Sequence, residues 1–234
     1  MRRDGFSLVE LLLVMGLSLV VILAASEFFG ITQSLFVKLK CAEEDSLAIQ
    51  AALEKLRIDL FRAGFGLEAA IRAGTVEGIS ADGSLIILSR EAEFNLAADS
   101  ISGETRVTLE KTTGLSAGRT VCLADERKAE RRIIVSLQGK TAVLSAPLEN
   151  NYAAADARLL LLEEVAYSLD AKTDILRRKV NASPAQPLLD NAELFEFAYA
   201  KELNLVRIKL ADKKNVEKTH ELLVFPKNLG LILP

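Results

Sequence analysis

The chain has 234 residues, half of them hydrophobic, with 29 basic and 32 acidic side chains and a formal net charge of −3. That length allows one or two domains with a real core, and the charge balance leaves no electrostatic footprint for nucleic acid. Trp is absent, His occurs once, and the two cysteines, Cys41 and Cys122, make neither a metal motif nor a CxxC pair.

The first predicted element is a membrane-length helix. Arg2 and Arg3 precede a run from Phe6 to Ala25 whose single charge is Glu10. Twenty residues span about 30 Å as a helix, the thickness of a bilayer core. The next basic residue is Lys38, so the positive-inside rule keeps the N-terminus cytoplasmic and sends the remainder across the membrane. An ionised group in hydrocarbon costs a few kcal/mol. Glu10 therefore implies a partner, and the segment offers none, so the partner belongs to another molecule. A secretory signal peptide is the competing reading, with its basic start, apolar middle and small residues Ala24-Ala25-Ser26. Against it, Glu10 interrupts the apolar region, Leu23 stands where an A-x-A site wants a small residue, and the helical pattern runs on past Ser26.

Apolar positions continue at Phe28, Ile31, Leu35, Leu39, Ala42, Ile49, Leu53, Leu56, Leu60 and Ala63, in steps of three and four except across Ser46. This is one helical stripe, with Lys38, Glu43, Glu54, Arg57 and Asp59 on the other faces. Gly64 and Gly66 end it; Gly64 supplies a backbone conformation that side chains disfavour. The expected helix runs from about Phe6 to Ala63, apolar all round in its first half and amphipathic in its second. Asp59 and Arg62 are spaced for a structural ion pair at i,i+3. A two-stranded coiled coil is the alternative use of the stripe, but the strands that follow offer a nearer surface.

From Gly74 onward the signals are strand signals. Strands are expected at 84–89, 105–110, 119–123, 132–137, 141–144, 158–169, 175–180, 194–199, 203–210 and 220–224, with a hairpin around Gln138-Gly139-Lys140. Turns are expected at Asp82-Gly83 and at 170–174, 181–187 and 212–215. One long helix followed by mostly antiparallel strands is an α+β fold. The expected organisation is a leader at 1–5, a transmembrane helix half at 6–31 and an amphipathic half at 32–64. Connecting loops and first strands follow at 65–100, then a strand-rich subdomain at 101–164 and a C-terminal sheet at 165–234.

Chemistry finds little purchase, and the chain is expected not to be an enzyme and to need no cofactor or metal. Gly64-Phe65-Gly66 lacks the further glycine and the strand-to-helix setting of a nucleotide loop, and no GxSxG elbow occurs. His220 has no second histidine with which to hold a metal. Acidic pairs such as Glu163-Glu164 and basic runs such as Arg177-Arg178-Lys179 read as solvated faces and edge-strand charges. Cys41 and Cys122 are candidates for one disulfide in an oxidising compartment; the alternative is two small buried side chains.

Gly5-Phe6-Ser7-Leu8-Val9-Glu10-Leu11, in register before a long apolar run, resembles the cleavage and N-methylation signal of type IV prepilins and type II secretion pseudopilins. The resemblance implies that a prepilin peptidase cuts between Gly5 and Phe6 and methylates Phe6. Glu10 then becomes the fifth residue of the mature chain and offsets the terminal amine of a neighbouring subunit. Opposite charges in an apolar bundle are tolerable only as a pair. Leu56-Arg57-Ile58-Asp59-Leu60-Phe61-Arg62-Ala63-Gly64-Phe65-Gly66 resembles the helix end of PilW-like minor pilins. The implied fold is pilin-like, with the long helix packed on a β body. The implied partners are other pilins through the helix, membrane lipid and the inner-membrane assembly platform. The implied location is the bacterial inner membrane, single-pass with a periplasmic body, and then the tip of a pilus. A J-type pseudopilin of type II secretion shares this plan. A periplasmic enzyme or binding module on an ordinary membrane anchor is the alternative of another class.

Overall fold

The computed structural model describes residues 7–213 and 219–231, and the chain divides into two compact units, residues 1–50 and 51–234. Helix α1 spans Leu8–Arg62, about 80 Å at 1.5 Å per residue. In the first unit it carries an 18-residue window of mean hydropathy 2.7, none of it buried. Apolar side chains from Leu8 to Leu39 stand exposed around the whole helix, the pattern of a segment that a bilayer or other helices must cover. Length and composition make α1 a single candidate membrane span.

The second unit opens with the close of α1. Leu56, Leu60 and Ala63 of the expected stripe are buried there; Leu53 is half-buried, and Ala52, outside the stripe, is buried beside it. Helix α2 (Glu68–Arg72) follows, then strands β1 (Ile79–Asp82), β2 (Ser84–Asn95), β3 (Arg106–Thr108), β4 (Thr120–Ala124), β5 (Ala129–Gln138) and β6 (Thr141–Leu144). Next come β7 (Arg158–Asp170), β8 (Ile175–Val180), β9 (Gln186–Leu189) and β10 (Ala192–Ala200). A 3-10 turn at Lys201–Leu203, β11 (Leu205–Asp212), β12 (His220–Val224) and helix α3 (Lys227–Gly230) complete the unit. The fold is α+β and pilin-like in plan: one long N-terminal helix and a body of antiparallel strands.

Nine strands form one sheet in the order β1-β2-β7-β4-β5-β6-β3, with β8 on β7 and β9 on β8; β10-β11-β12 form a second sheet. β7 organises the first. Along one edge it pairs β2 over most of its length, Leu85 against Tyr167 through Asn95 against Arg158. Its other edge is divided between two partners. Leu159, Leu160 and Leu161 pair with β4, and Val165 to Asp170 pair with β8. A boundary at 164/165, expected from the sequence, therefore falls inside a single strand. The 101–164 region does own most of a core, but shares it with Phe94 and Leu96 from β2 and the loop beyond.

The run Leu159-Leu160-Leu161-Leu162 is explained by burial on both faces. Side chains alternate along a strand. Leu159 and Leu161 join Val107, Val121, Leu123 and Ile134 in one core, while Leu160 and Leu162 join Leu67, Ala70, Val76 and Cys122 in another. The third core places Leu56, Leu60 and Ala63 of α1 with Leu85, Ile87, Val165 and Tyr167 of the first sheet and Val206, Ile208 and Leu222 of the second. The end of α1 is thus the element that both sheets share.

All ten strands expected from the sequence are present, and β8, β6 and β12 keep their expected ends. The 138–140 hairpin forms with Gln138 opposite Thr141 and Gly139 at φ +60°. The structure adds β1, β9, α2 and α3. The 181–187 turn is shorter than expected, because β9 begins at Gln186 and pairs with β8. Part of the 212–215 turn lies outside the described residues.

Candidate functional site

Two groups of residues carry the functional reading, and they lie in different units. In the first, Glu10 occupies the opening turn of α1, where the Ser7 carbonyl accepts from the backbone N–H of Glu10 and of Leu11 at 3.0 and 3.2 Å. A carboxylate near a helix N-terminus is favoured by the helix dipole. Here it stands exposed among Leu8, Val9, Leu11 and Leu12, themselves exposed. Gly5 and Phe6, the expected processing residues, lie outside the described residues.

The second group ties the end of α1 to the sheet. Asp59 is 2 % exposed. Its Oδ2 accepts a hydrogen bond from the Tyr167 hydroxyl at 2.5 Å and from Arg178 Nε at 2.7 Å. Its Oδ1 lies 3.4 Å from Lys55 Nζ. Burial alone raises the pKa of this carboxyl, but the hydrogen bonds from Arg178 and Tyr167 and the charges of Arg178 and Lys55 outweigh it, and the value falls below 3.8. Burial and the Asp59 carboxylate push the Tyr167 hydroxyl up. Arg178 is raised: burial works against its charged form, and Asp59 more than offsets that. The expected pair between Asp59 and Arg62 is not formed. Arg62 turns the other way, to Glu163 Oε2 at 2.7 Å, and Ser89 donates to that same oxygen at 3.3 Å. The physical reason is that Asp59, expected on an outer face, lies on the buried face of α1 whereas Arg62 is exposed, so each meets the sheet separately.

Gly64 closes the helix. Its φ is +73°, and a Cβ there would lie 2.3 Å from Leu229 Cδ2. Its N–H donates to the Leu88 carbonyl at 2.8 Å, so the chain leaves α1 already bonded to β2. Only glycine meets both demands without strain.

Sequence reasoning did not reach a second buried carboxylate. Glu130 on β5 accepts from the backbone N–H of Glu149 at 2.8 Å and of Asn150 at 2.7 Å, and from Arg132 at 2.7 Å. The Asn150 amide and the Tyr152 hydroxyl complete its shell at 2.8 and 3.3 Å. Burial raises its pKa, and these bonds outweigh burial and lower it. The carboxylate is fully engaged in holding the 147–152 loop, with no lone pair turned to a ligand.

Cys122 is buried in β4 and Cys41 is exposed on α1, and both thiols are free, so the disulfide considered from the sequence is not made. Burial pushes the Cys122 thiol up to about 12. His220 opens β12 opposite Leu210. Among the described residues no group of three or more His, Cys, Asp or Glu side chains is placed to hold a metal ion. A cleft of about 440 Å³ lies by β1, walled by Ile71, Val76, Tyr199, Lys201 and Leu229. Four consecutive residues of β1, Ile79 to Asp82, line it. Since side chains alternate faces, it is the open edge of the strand that meets the cleft.

The signature of the prokaryotic N-terminal methylation motif matches residues 1–26. No curated protein matches the chain. Among solved structures, the Gp54 tailspike of Acinetobacter baumannii bacteriophage AP22, in complex with capsular saccharide, is 14 % identical over 32 % of this chain and 15 % of its own, with a TM-score of 0.29. The tailspike gp49 of Pseudomonas phage LKA1 is 17 % identical over 30 % of this chain and 14 % of its own, with a TM-score of 0.26. The endosialidase of phage phi92 is 14 % identical over 62 % of this chain and 32 % of its own, with a TM-score of 0.22. The aligned region thus spans at most a third of these structures, and overlaps at such scores bear on neither fold nor function. The methylation motif is different in kind, because it coincides with the lone Glu10 and the exposed apolar helix. It implies processing by a prepilin peptidase, association with other pilins and a single-pass membrane anchor. That motif, the long apolar N-terminal helix and the body of antiparallel sheet together support a type IV pilin-like protein.

Proposed function

We propose that the chain is a minor pilin that joins a tip or priming complex and so initiates assembly of a type IV pilus. It waits in the bacterial inner membrane with its body in the periplasm. The peptidase cuts between Gly5 and Phe6 and methylates the new N-terminus. The apolar helix then leaves lipid for a bundle of pilin helices, and the assembly platform drives that transfer. Glu10 pairs there with the terminal amine of a neighbour. The protein does no chemistry itself; its mechanism is packing.

The observation that carries this reading is Glu10, the lone carboxylate in the exposed apolar run behind the methylation motif. Its few kcal/mol of desolvation in hydrocarbon are offset only where an opposite charge is supplied. The PilW-like helix end, Leu56 to Gly66, favours a minor over a major subunit, and a J-type pseudopilin of type II secretion shares the same plan. Replacing Glu10 with Ala tests the mechanism. Membrane insertion and leader removal persist, and filament assembly is lost. Normal piliation by E10A would refute the pairing. Neighbouring pilus-assembly genes support the pilus assignment, whereas neighbouring secretion genes move the chain to the pseudopilins.

A further inference from the structure

β1 ends the first sheet: it pairs with β2 along one edge and with no described strand along the other. The ladder fixes which backbone groups the free edge presents. The Leu88 N–H donates to the Gly78 carbonyl at 2.9 Å. In an antiparallel pair, hydrogen-bonded and non-hydrogen-bonded positions alternate. Ile79 opposite Ile87 and Ala81 opposite Leu85 are then the non-hydrogen-bonded positions, so their N–H and C=O groups point away from β2. Among the described residues nothing bonds to these four groups. Ile79 is 3 % exposed, and a buried backbone group seldom lacks a partner. Ala81, two residues on, is exposed. Both residues line the cleft of about 440 Å³.

The polar groups on the cleft walls have partners of their own. The Tyr199 hydroxyl donates to Asn204 Oδ1 at 3.1 Å, and Lys201 Nζ lies 3.6 Å from Glu77 Oε1. What stays unanswered is a row of backbone groups and one charge, the exposed carboxylate of Asp82, which has no ion pair. A free strand edge is a template for another strand. Backbone pairing supplies the affinity of such an addition, and side-chain pockets supply its specificity. We propose that the β1 edge is a binding site for an extended peptide segment of a partner protein, which adds as a strand beside β1 and sets a Lys or Arg opposite Asp82. The four residues of β1 present about 13 Å of edge at 3.3 Å per residue. Apolar side chains of the segment lie on Ile71, Val76, Tyr199 and Leu229, which wall the cleft. The site lies wholly within the 51–234 unit and does not depend on the pairing of Glu10.

The test pans short random peptides, displayed on ribosomes, against the full chain in detergent. Ala81→Pro serves as the counter-variant. The Ala81 N–H points off the sheet, so proline removes it without breaking the β1–β2 ladder, as edge strands allow. The expected result is that peptides with alternating apolar residues and a basic side chain are enriched on the wild type over A81P. Methylating alternate backbone nitrogens of an enriched peptide weakens binding by up to about tenfold for each hydrogen bond lost, and Asp82→Asn weakens it several-fold. Bound peptide slows amide hydrogen exchange at Ile79 and Ala81 and leaves Ser80 unchanged, because the Ser80 N–H already belongs to the ladder. The methylated peptides and the exchange pattern decide the matter even where A81P fails to fold. No enrichment on the wild type over a folded A81P, equal binding by the methylated peptides, or slowed exchange confined to residues away from β1 would overturn the proposal.

Discussion

The bond between α1 and the sheet through Asp59 predicts a large, specific loss of stability on its removal. The perturbation is Asp59→Ala. Two short charge-assisted hydrogen bonds disappear, from Tyr167 at 2.5 Å and Arg178 at 2.7 Å, each worth about 1.5–3 kcal/mol. Lys55 adds little, because its side chain is 40 % exposed and partly exposed pairs contribute about 0–1 kcal/mol. The Arg178 side chain is left with its charge partly buried and its partner gone. Breaking one side of a buried pair costs about 3–5 kcal/mol, in line with the sum of the two bonds. For a body of this size each kcal/mol lowers Tm by about 2–4 °C, so the melting temperature of the full chain in detergent falls by about 6–20 °C. Asp59→Asn loses less, since its amide oxygen still accepts from Tyr167. The pH dependence has a fixed sign. The folded pKa of Asp59 lies below its ordinary value, so its contribution is complete above the unfolded value, about 3.9, and drains as pH falls through the folded one. The stability gap between wild type and Asp59→Asn therefore narrows as pH drops below about 4. A Tm change under about 2 °C for Asp59→Ala, or a gap that widens in acid, would refute this account of the anchor.

Three further expectations follow from the same geometry. Gly64→Ala combines a left-handed backbone with a Cβ 2.3 Å from Leu229 and costs about 1–3 kcal/mol, read by thermal melting; an unchanged Tm would contradict the tight helix end. In the folded protein a thiol alkylating reagent labels Cys41 and spares Cys122, which is buried with its thiol pushed up to about 12; comparable labelling of both by mass spectrometry would contradict the placement of β4. Leu60→Ala removes a fully buried side chain from the core shared by α1 and both sheets and destabilises by about 2–5 kcal/mol, whereas Leu47→Ala, on an exposed position of the same helix, stays within about 0.5 kcal/mol in the same melt.

Legibility in the sequence followed the range of the interactions. The strands with strong apolar signals were readable, because alternation and turn residues are local. β1, Ile79-Ser80-Ala81-Asp82, has one large apolar residue and so no visible period. β9 contains Pro187 and read as turn, although proline is tolerated on an edge strand, which β9 is. The four leucines of β7 announced burial but not that each face of the sheet carries its own core. From sequence Asp59 reads as a fold residue on an outer face of the helix, paired with Arg62; the structure buries it and pairs it with Arg178. Its true partner, Arg178, is 119 residues away, beyond any spacing rule, while Arg62 stands at the i,i+3 spacing of a helix. Glu10 was legible for the opposite reason: a charge alone in an apolar run needs no tertiary information to stand out.

The most direct test of the account is the mass of the mature N-terminus of the native protein. The account predicts a chain that begins at Phe6 and is heavier by one methyl group. A chain that begins at Met1, or at a residue beyond the apolar run, would contradict it.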